Sequence, residues 1–253
     1  MPTVQRAPVT GAVLLVALLT VVQATLGLGA VGWAVGLVAS FAAATLLAVG
    51  LQSAATTRFG AANVVTLVRA TLGQMVAALV AASFVGVDHR ALLVSVTALA
   101  LLLDAVDGQV ARSTGSVTPL GARFDMEADA FLILVLSVAA GPVVGWWVLA
   151  IGFARYALLL AERVWPWLRV PVPPRDWRKV VAAVQGVTLG VVVAGVAPTA
   201  VSVAMLVVSM GLLTESFGRD VVWLVRRHHA LTGPARAAVP ALTARQLARS
   251  TGG

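Results

Sequence analysis

Long apolar runs decide what this chain can become. Stretches near 11–30, 31–51, 62–87, 90–112, 121–141, 143–163, 178–197 and 199–225 are each dominated by Ala, Val, Leu and Gly. About 20 such residues cross a hydrocarbon layer of roughly 30 Å as a helix. Strands are disfavoured, because an open sheet edge cannot sit in lipid and a barrel would show alternating segments about half as long. Only 11% of the residues are charged, against roughly 25% in soluble domains, and the mean hydropathy is +0.96. The expected fold is therefore an all-α polytopic membrane protein with about eight transmembrane helices. Breaks are expected at Thr56 to Ala61, Gly86 to Arg90, Ser113 to Leu120, Gly141-Pro142, Pro166 to Pro174 and Ala197-Pro198, where Gly, Pro and charge interrupt the apolar pattern.

The net charge of +8 would suggest nucleic acid in a soluble chain, but the positions of the cations point to a membrane. With the N-terminus inside, the inner face collects Arg6, Arg58, Arg112, Arg163, Arg169, Arg175, Arg178, Lys179, Arg226, Arg227 and the arginines of the tail, whereas the outer loops hold only Arg90. This asymmetry predicts an even number of spans in the plasma membrane with both termini in the cytoplasm, and no nucleic-acid partner. The first apolar run is too long, and lacks the small-residue cleavage pattern, for a signal peptide. Residues 230–253 read as a flexible basic cytoplasmic tail in contact with anionic membrane lipids. Cysteine is absent and there are three histidines, so thiolate chemistry is excluded and a zinc cluster is disfavoured.

The informative feature is where the acids lie. Five of the ten, Asp104, Asp107, Asp125, Glu127 and Asp129, fall within 26 positions that also carry long apolar stretches. Ionised groups at membrane depth are expensive and normally face a polar cavity or a functional site. Asp104 and Asp107 are i and i+3 near the end of one span; Asp125 and Asp129 are i and i+4 early in the next. Each pair thus shares a helical face, and the turn containing Gly115 and Pro119 makes the two helices antiparallel neighbours. Carboxylates gathered in a low dielectric repel one another unless cations intervene. Hard oxygen ligands suit magnesium, manganese or calcium, and two such ions form the usual clamp for displacement at phosphorus. Gly108 and Gly121 let a phosphate approach backbone, and Arg112 lies one turn beyond Gly108. The other reading is structural: an ion-pair network, Arg112 with an aspartate, holding two helices together.

The full string, Asp104-x-x-Asp107-Gly108-x-x-Ala111-Arg112, then eight residues, then Gly121-x-x-x-Asp125-x-x-x-Asp129, resembles the signature of the CDP-alcohol phosphotransferase family at every defined position and spacing. That resemblance implies a six-helix catalytic core, about residues 62–226, preceded by two additional helices in 1–52 for which the family pattern offers no role. It implies an integral-membrane phosphotransferase of phospholipid biosynthesis, in which an alcohol displaces CMP from a CDP-linked donor, usually CDP-diacylglycerol, at a cytoplasm-facing site with two divalent cations, Mg2+ or Mn2+. Asp104, Asp107 and Asp125 then resemble metal ligands, and Asp129 both a ligand and the general base. Gly108, Ala111, Arg112 and Gly121 correspond to the surface that receives the CDP moiety. A homodimer is also common in such families.

Asn63-x-x-Thr66-x-x-Arg69 opens the third span and is similar to the polar start of the family's first core helix, beside the cytidine, although Val64 stands where proline often does. The local alternative is capping, with Asn63 as N-cap and Thr66 bonded within the first turn. Arg69 lies deeper and is expected to pair with an acid or a phosphate. Arg155, Arg178 and Lys179 add positive charge on the cytoplasmic side, where they suit the phosphate of an acceptor such as inositol phosphate or glycerol phosphate; positive-inside anchoring accounts equally for Arg178 and Lys179. Trp146, Trp147, Trp165, Trp167, Trp177 and Trp223 sit near span ends, as in an interfacial belt. Two competing readings, an aspartate-rich prenyltransferase and a cation-coupled transporter, fit less well: the first separates its acidic motifs more widely, and the second needs a matching acidic half.

Overall fold

The computed structural model describes residues 7–54, 61–114, 119–170, 172–173 and 176–232, the side chains of 52–54, 61–62, 106–114, 119–120, 176 and 231–232 excepted. The described residues form eight α-helices and no strand: α1 (Ala7–Thr25), α2 (Gly29–Ala54), α3 (Ala61–Ser83), α4 (Arg90–Thr114), α5 (Pro119–Val144), α6 (Leu149–Val164), α7 (Asp176–Ala194) and α8 (Thr199–Thr232). Short 3₁₀ turns, Trp146–Val148 and Pro166–Arg169, flank α6. The all-helical expectation holds. Six stretches, in α1, α2, α3, α5, α7 and α8, are long and apolar enough to cross a membrane, so the chain is a membrane protein. The 16 residues of α6 fall short alone, but with the 3₁₀ turn before them the helical segment reaches about 30 Å. The tail beyond Thr232 and the N-terminal Arg6 lie outside the described residues.

Two helix boundaries differ from expectation. A break was expected at Gly141-Pro142, yet α5 runs through Pro142 to Val144, and the chain turns at Gly145, whose φ is +96°. Proline removes only one hydrogen bond there, in the last turn of the helix, while the reversal needs a left-handed residue. Gly141 serves packing instead: a Cβ on it would sit 2.5 Å from the Trp146 ring. α8 continues past the expected end near 225 to Thr232.

α3 is the axis of the bundle. It packs against α1, α2, α4 and α5, and every residue from Arg69 to Val80 is buried. An α-helix buried all round must be contacted on every side, and glycines make the close approaches. A Cβ at Gly32 would lie 3.0 Å from the Ala78 carbonyl oxygen, and one at Gly36 would lie 3.3 Å from the Ala78 Cβ. α1 presents Ala7, Gly11, Leu15, Leu19 and Val22 to the interior, a stripe at three- and four-residue spacing. Between α5 and α6, a Cβ on Gly152 would stand 2.8 Å from the Leu134 Cα. Small residues at such crossings let helix backbones approach where the hydrophobic effect between helices is absent.

The helices alternate in direction, so four connections gather at one end and are tied together there. His89 Nε2 lies 2.9 Å from the Gly27 carbonyl oxygen, Arg90 Nε donates to the Val193 carbonyl at 2.9 Å, and the Phe84 and Trp146 rings stack with centroids 6.3 Å apart. Arg90 thus meets the carbonyl-rich end of α7, which favours a cation. Gly195, with φ +64°, leaves the space that the Arg90 guanidinium fills. The acids lie at the other end.

Candidate active site

Three helices meet at that acidic end. α4 supplies Asp104 about three turns before its C-terminus, α5 supplies Asp125 and Asp129 one turn apart near its start, and α3 supplies Arg69 from the first of its fully buried turns. One oxygen from each of Asp104, Asp125 and Asp129 lies within 4.8 Å of the others. The spacing expected to bring the two acidic pairs into one space does so for these three. Asp107, Gly108, Ala111 and Arg112 follow on α4; their side chains lie outside the described residues. Gly121 is one turn before Asp125 on the same face of α5.

Arg69 joins the three acids. Its Nη2 is 3.0 Å from Asp104 Oδ1, Nη1 donates to Asp125 Oδ1, and Nη2 also donates to Asp129 Oδ1. The carboxylates stay partly open, at 40%, 38% and 31% side-chain exposure, whereas Arg69 is 4% exposed. A ligand therefore meets the acids from their open side, with Arg69 behind them. The pairing of Arg69 with acid, expected from its depth, takes in three carboxylates among the described side chains.

The donor set suits a hard divalent cation. Among the described residues it consists of carboxylate oxygens, and oxygen-only sets favour magnesium, manganese or calcium over zinc. Three carboxylates face the one Arg69 guanidinium.

The remaining candidates are distributed around this centre. Asn63 and Thr66 are 4% and 2% exposed. α3 begins at Ala61, so Asn63 is the third helical residue; the N-cap reading is corrected, and its amide is enclosed by the bundle instead. Arg155 Nη2 donates to Glu127 Oε1 at 2.7 Å, and Glu127 projects from the face of α5 opposite to Asp125 and Asp129, two residues being about 200° of helical rotation. Arg178 Nη2 lies 2.8 Å from Asp220 Oδ2, beside a Trp177 indole that donates to Glu215 at 2.9 Å; Lys179 is exposed. The sequence points Arg155 and Arg178 to an acceptor phosphate and names no acid of the chain as their partner. Glu127 sat inside the acidic segment as a visible signal, and Glu215 and Asp220 marked the polar end of α8.

A family model described as CDP-alcohol phosphatidyltransferase matches residues 59–214, from just before α3 into α8. The match covers more than half of the chain and leaves α1 and α2 outside. No curated protein matches, and no solved structure matches.

Proposed function

From the premise that the chain belongs to the CDP-alcohol phosphatidyltransferase family, a family of transferases for substituted phosphate groups that move a phosphatidyl group from a CDP-alcohol to an alcohol and generally need a divalent cation, we propose the following reaction. The donor is CDP-diacylglycerol, the acceptor is a phosphorylated alcohol such as inositol phosphate or glycerol phosphate, and CMP is released. The convergence of Asp104, Asp125 and Asp129 on one partly open site carries this reading, because the same three residues belong to the acidic signature.

Asp104, Asp107, Asp125 and Asp129 would hold two divalent cations, Mg2+ or Mn2+. When bound, these supply positive charge to the diphosphate and to the departing CMP. Asp129 takes the proton of the acceptor hydroxyl as its oxygen bonds to the lipid-side phosphorus and the phosphoanhydride bond to CMP breaks. Gly108, Ala111, Arg112 and Gly121 receive the CDP moiety, with Asn63 and Thr66 at the cytidine. Arg155, Arg178 and Lys179 bind the acceptor phosphate, Glu127 and Asp220 holding the first two in place beforehand. α3 to α8 form the catalytic core, about residues 62–226, and α1 with α2 a preceding accessory pair in 1–52. The chain works in the plasma membrane as a homodimer with its site facing the cytoplasm, in phospholipid biosynthesis.

The test is product analysis with purified protein, labelled CDP-diacylglycerol and a panel of acceptors. CMP release that depends on a phosphorylated acceptor is expected. Release with serine alone overturns the acceptor assignment, and diphosphate release from a prenyl donor would favour a prenyltransferase.

A further inference from the structure

We propose that the Arg69 guanidinium and a divalent cation compete for the same three carboxylates, so that Arg69 is the internal counter-ion a metal must displace and thereby sets the affinity of the site. This rests on the metal reading above. Three observations carry it. Arg69 engages the Oδ1 atom of Asp104, Asp125 and Asp129 at once, and those same carboxylates supply the oxygens grouped closely enough for one ion. Two cations drawn to the same carboxylates in a medium of low dielectric repel each other strongly. The route of exchange is asymmetric: the acids are open on one side, while Arg69 is enclosed behind them and rises from a helix buried on every side through Val80. The backbone of α3 has nowhere to move, so the exchange is a swing of the side chain alone.

The arrangement has a purpose that follows from burial. Removing one partner from a buried ionic cluster leaves charges uncompensated, which is strongly destabilising. Arg69 keeps the acidic end folded whenever metal is scarce, at the expense of metal affinity.

The experiment uses the full-length protein in detergent micelles without substrate, with Mn2+ binding followed by electron paramagnetic resonance and stability by thermal unfolding with and without metal. Arg69→Met is expected to bind Mn2+ about ten-fold tighter or more, to unfold at a lower temperature than wild type in EDTA, and to recover most of that difference in saturating Mn2+. Arg69→Lys, which keeps one charge but lacks the planar fork that spans the three carboxylates, is expected to fall between the two and gives the same reading if Arg69→Met fails to fold. Binding to wild type that Asp125→Asn abolishes, together with unchanged or weaker binding to Arg69→Met, overturns the competition while leaving the metal site intact. Absence of Mn2+ binding to wild type and Arg69→Met alike overturns the metal site and the competition with it.

Discussion

Asp125 and Asp129 stand one helical turn apart on α5, and both accept from Arg69. Asp125→Asn or Asp129→Asn keeps the volume of the side chain but removes its charge. Each is expected to lower turnover by about 100- to 1,000-fold, the range of about 2.7–4 kcal/mol that follows loss of one transition-state contact, measured as CMP released per folded protein. Arg155 separates two roles. If it binds the acceptor phosphate, Arg155→Ala raises the acceptor KM by about ten-fold or more, a charge-assisted hydrogen bond being worth roughly 1.5–3 kcal/mol, while Glu127→Gln, which keeps an acceptor oxygen for Arg155, raises it less. If it only ties α6 to α5, both substitutions lower the melting temperature alike and neither moves KM. The acid cluster was legible in the sequence because carboxylates three and four residues apart must share a face. The Arg155–Glu127 and Arg178–Asp220 pairs were not, because which arginine meets which acid depends on how one helix is rotated against another, and no local spacing encodes that.

Among the helices, the elements themselves were legible from their apolar runs, and the misplaced break between α5 and α6 shows where such reading stops. Proline marks a lost hydrogen bond, but the turn is made where the backbone can take a positive φ, and a sequence with both Gly141 and Gly145 does not say which one turns. Close packing decided it, since Gly141 is needed beneath Trp146. The glycines give a graded prediction. Gly152→Ala places a methyl 2.8 Å from the Leu134 Cα and 3.1 Å from Ser137 Oγ, and overpacking of this kind costs about 1–3 kcal/mol. Gly211, with nothing within 4 Å of a built Cβ, is the control: Gly211→Ala should be neutral or stabilising by up to about 1 kcal/mol through helix propensity. Thermal unfolding of the two purified variants against wild type checks both.

For the molecule as a whole, alternating helices put the loop at Val85 and the end of α8 at opposite ends of the bundle. α8 has 34 residues, about 51 Å of helix, so its last turns stand clear of a hydrocarbon layer of roughly 30 Å. Because the chain has no cysteine, single cysteines at Val85 and Ala230, both exposed, report on sidedness without background. An impermeant thiol reagent added to intact cells should label the first and spare the second; equal labelling refutes the arrangement. The enclosure of α3 bears on how such a chain is made. Between Asn63 and Gln74, α3 carries Asn63, Thr66, Arg69, Thr71 and Gln74, all buried, and an arginine in a lone helix opposes release into lipid, by up to about 2.5–3.5 kcal/mol at the helix centre. The acids that pair with Arg69 lie on α4 and α5 and follow α3 out of the ribosome. What precedes it is the α1–α2 hairpin, whose Gly32 and Gly36 fit against Ala78. The hairpin outside the family match thus offers the nascent α3 a protein wall to lean on during insertion, before its electrostatic partners arrive.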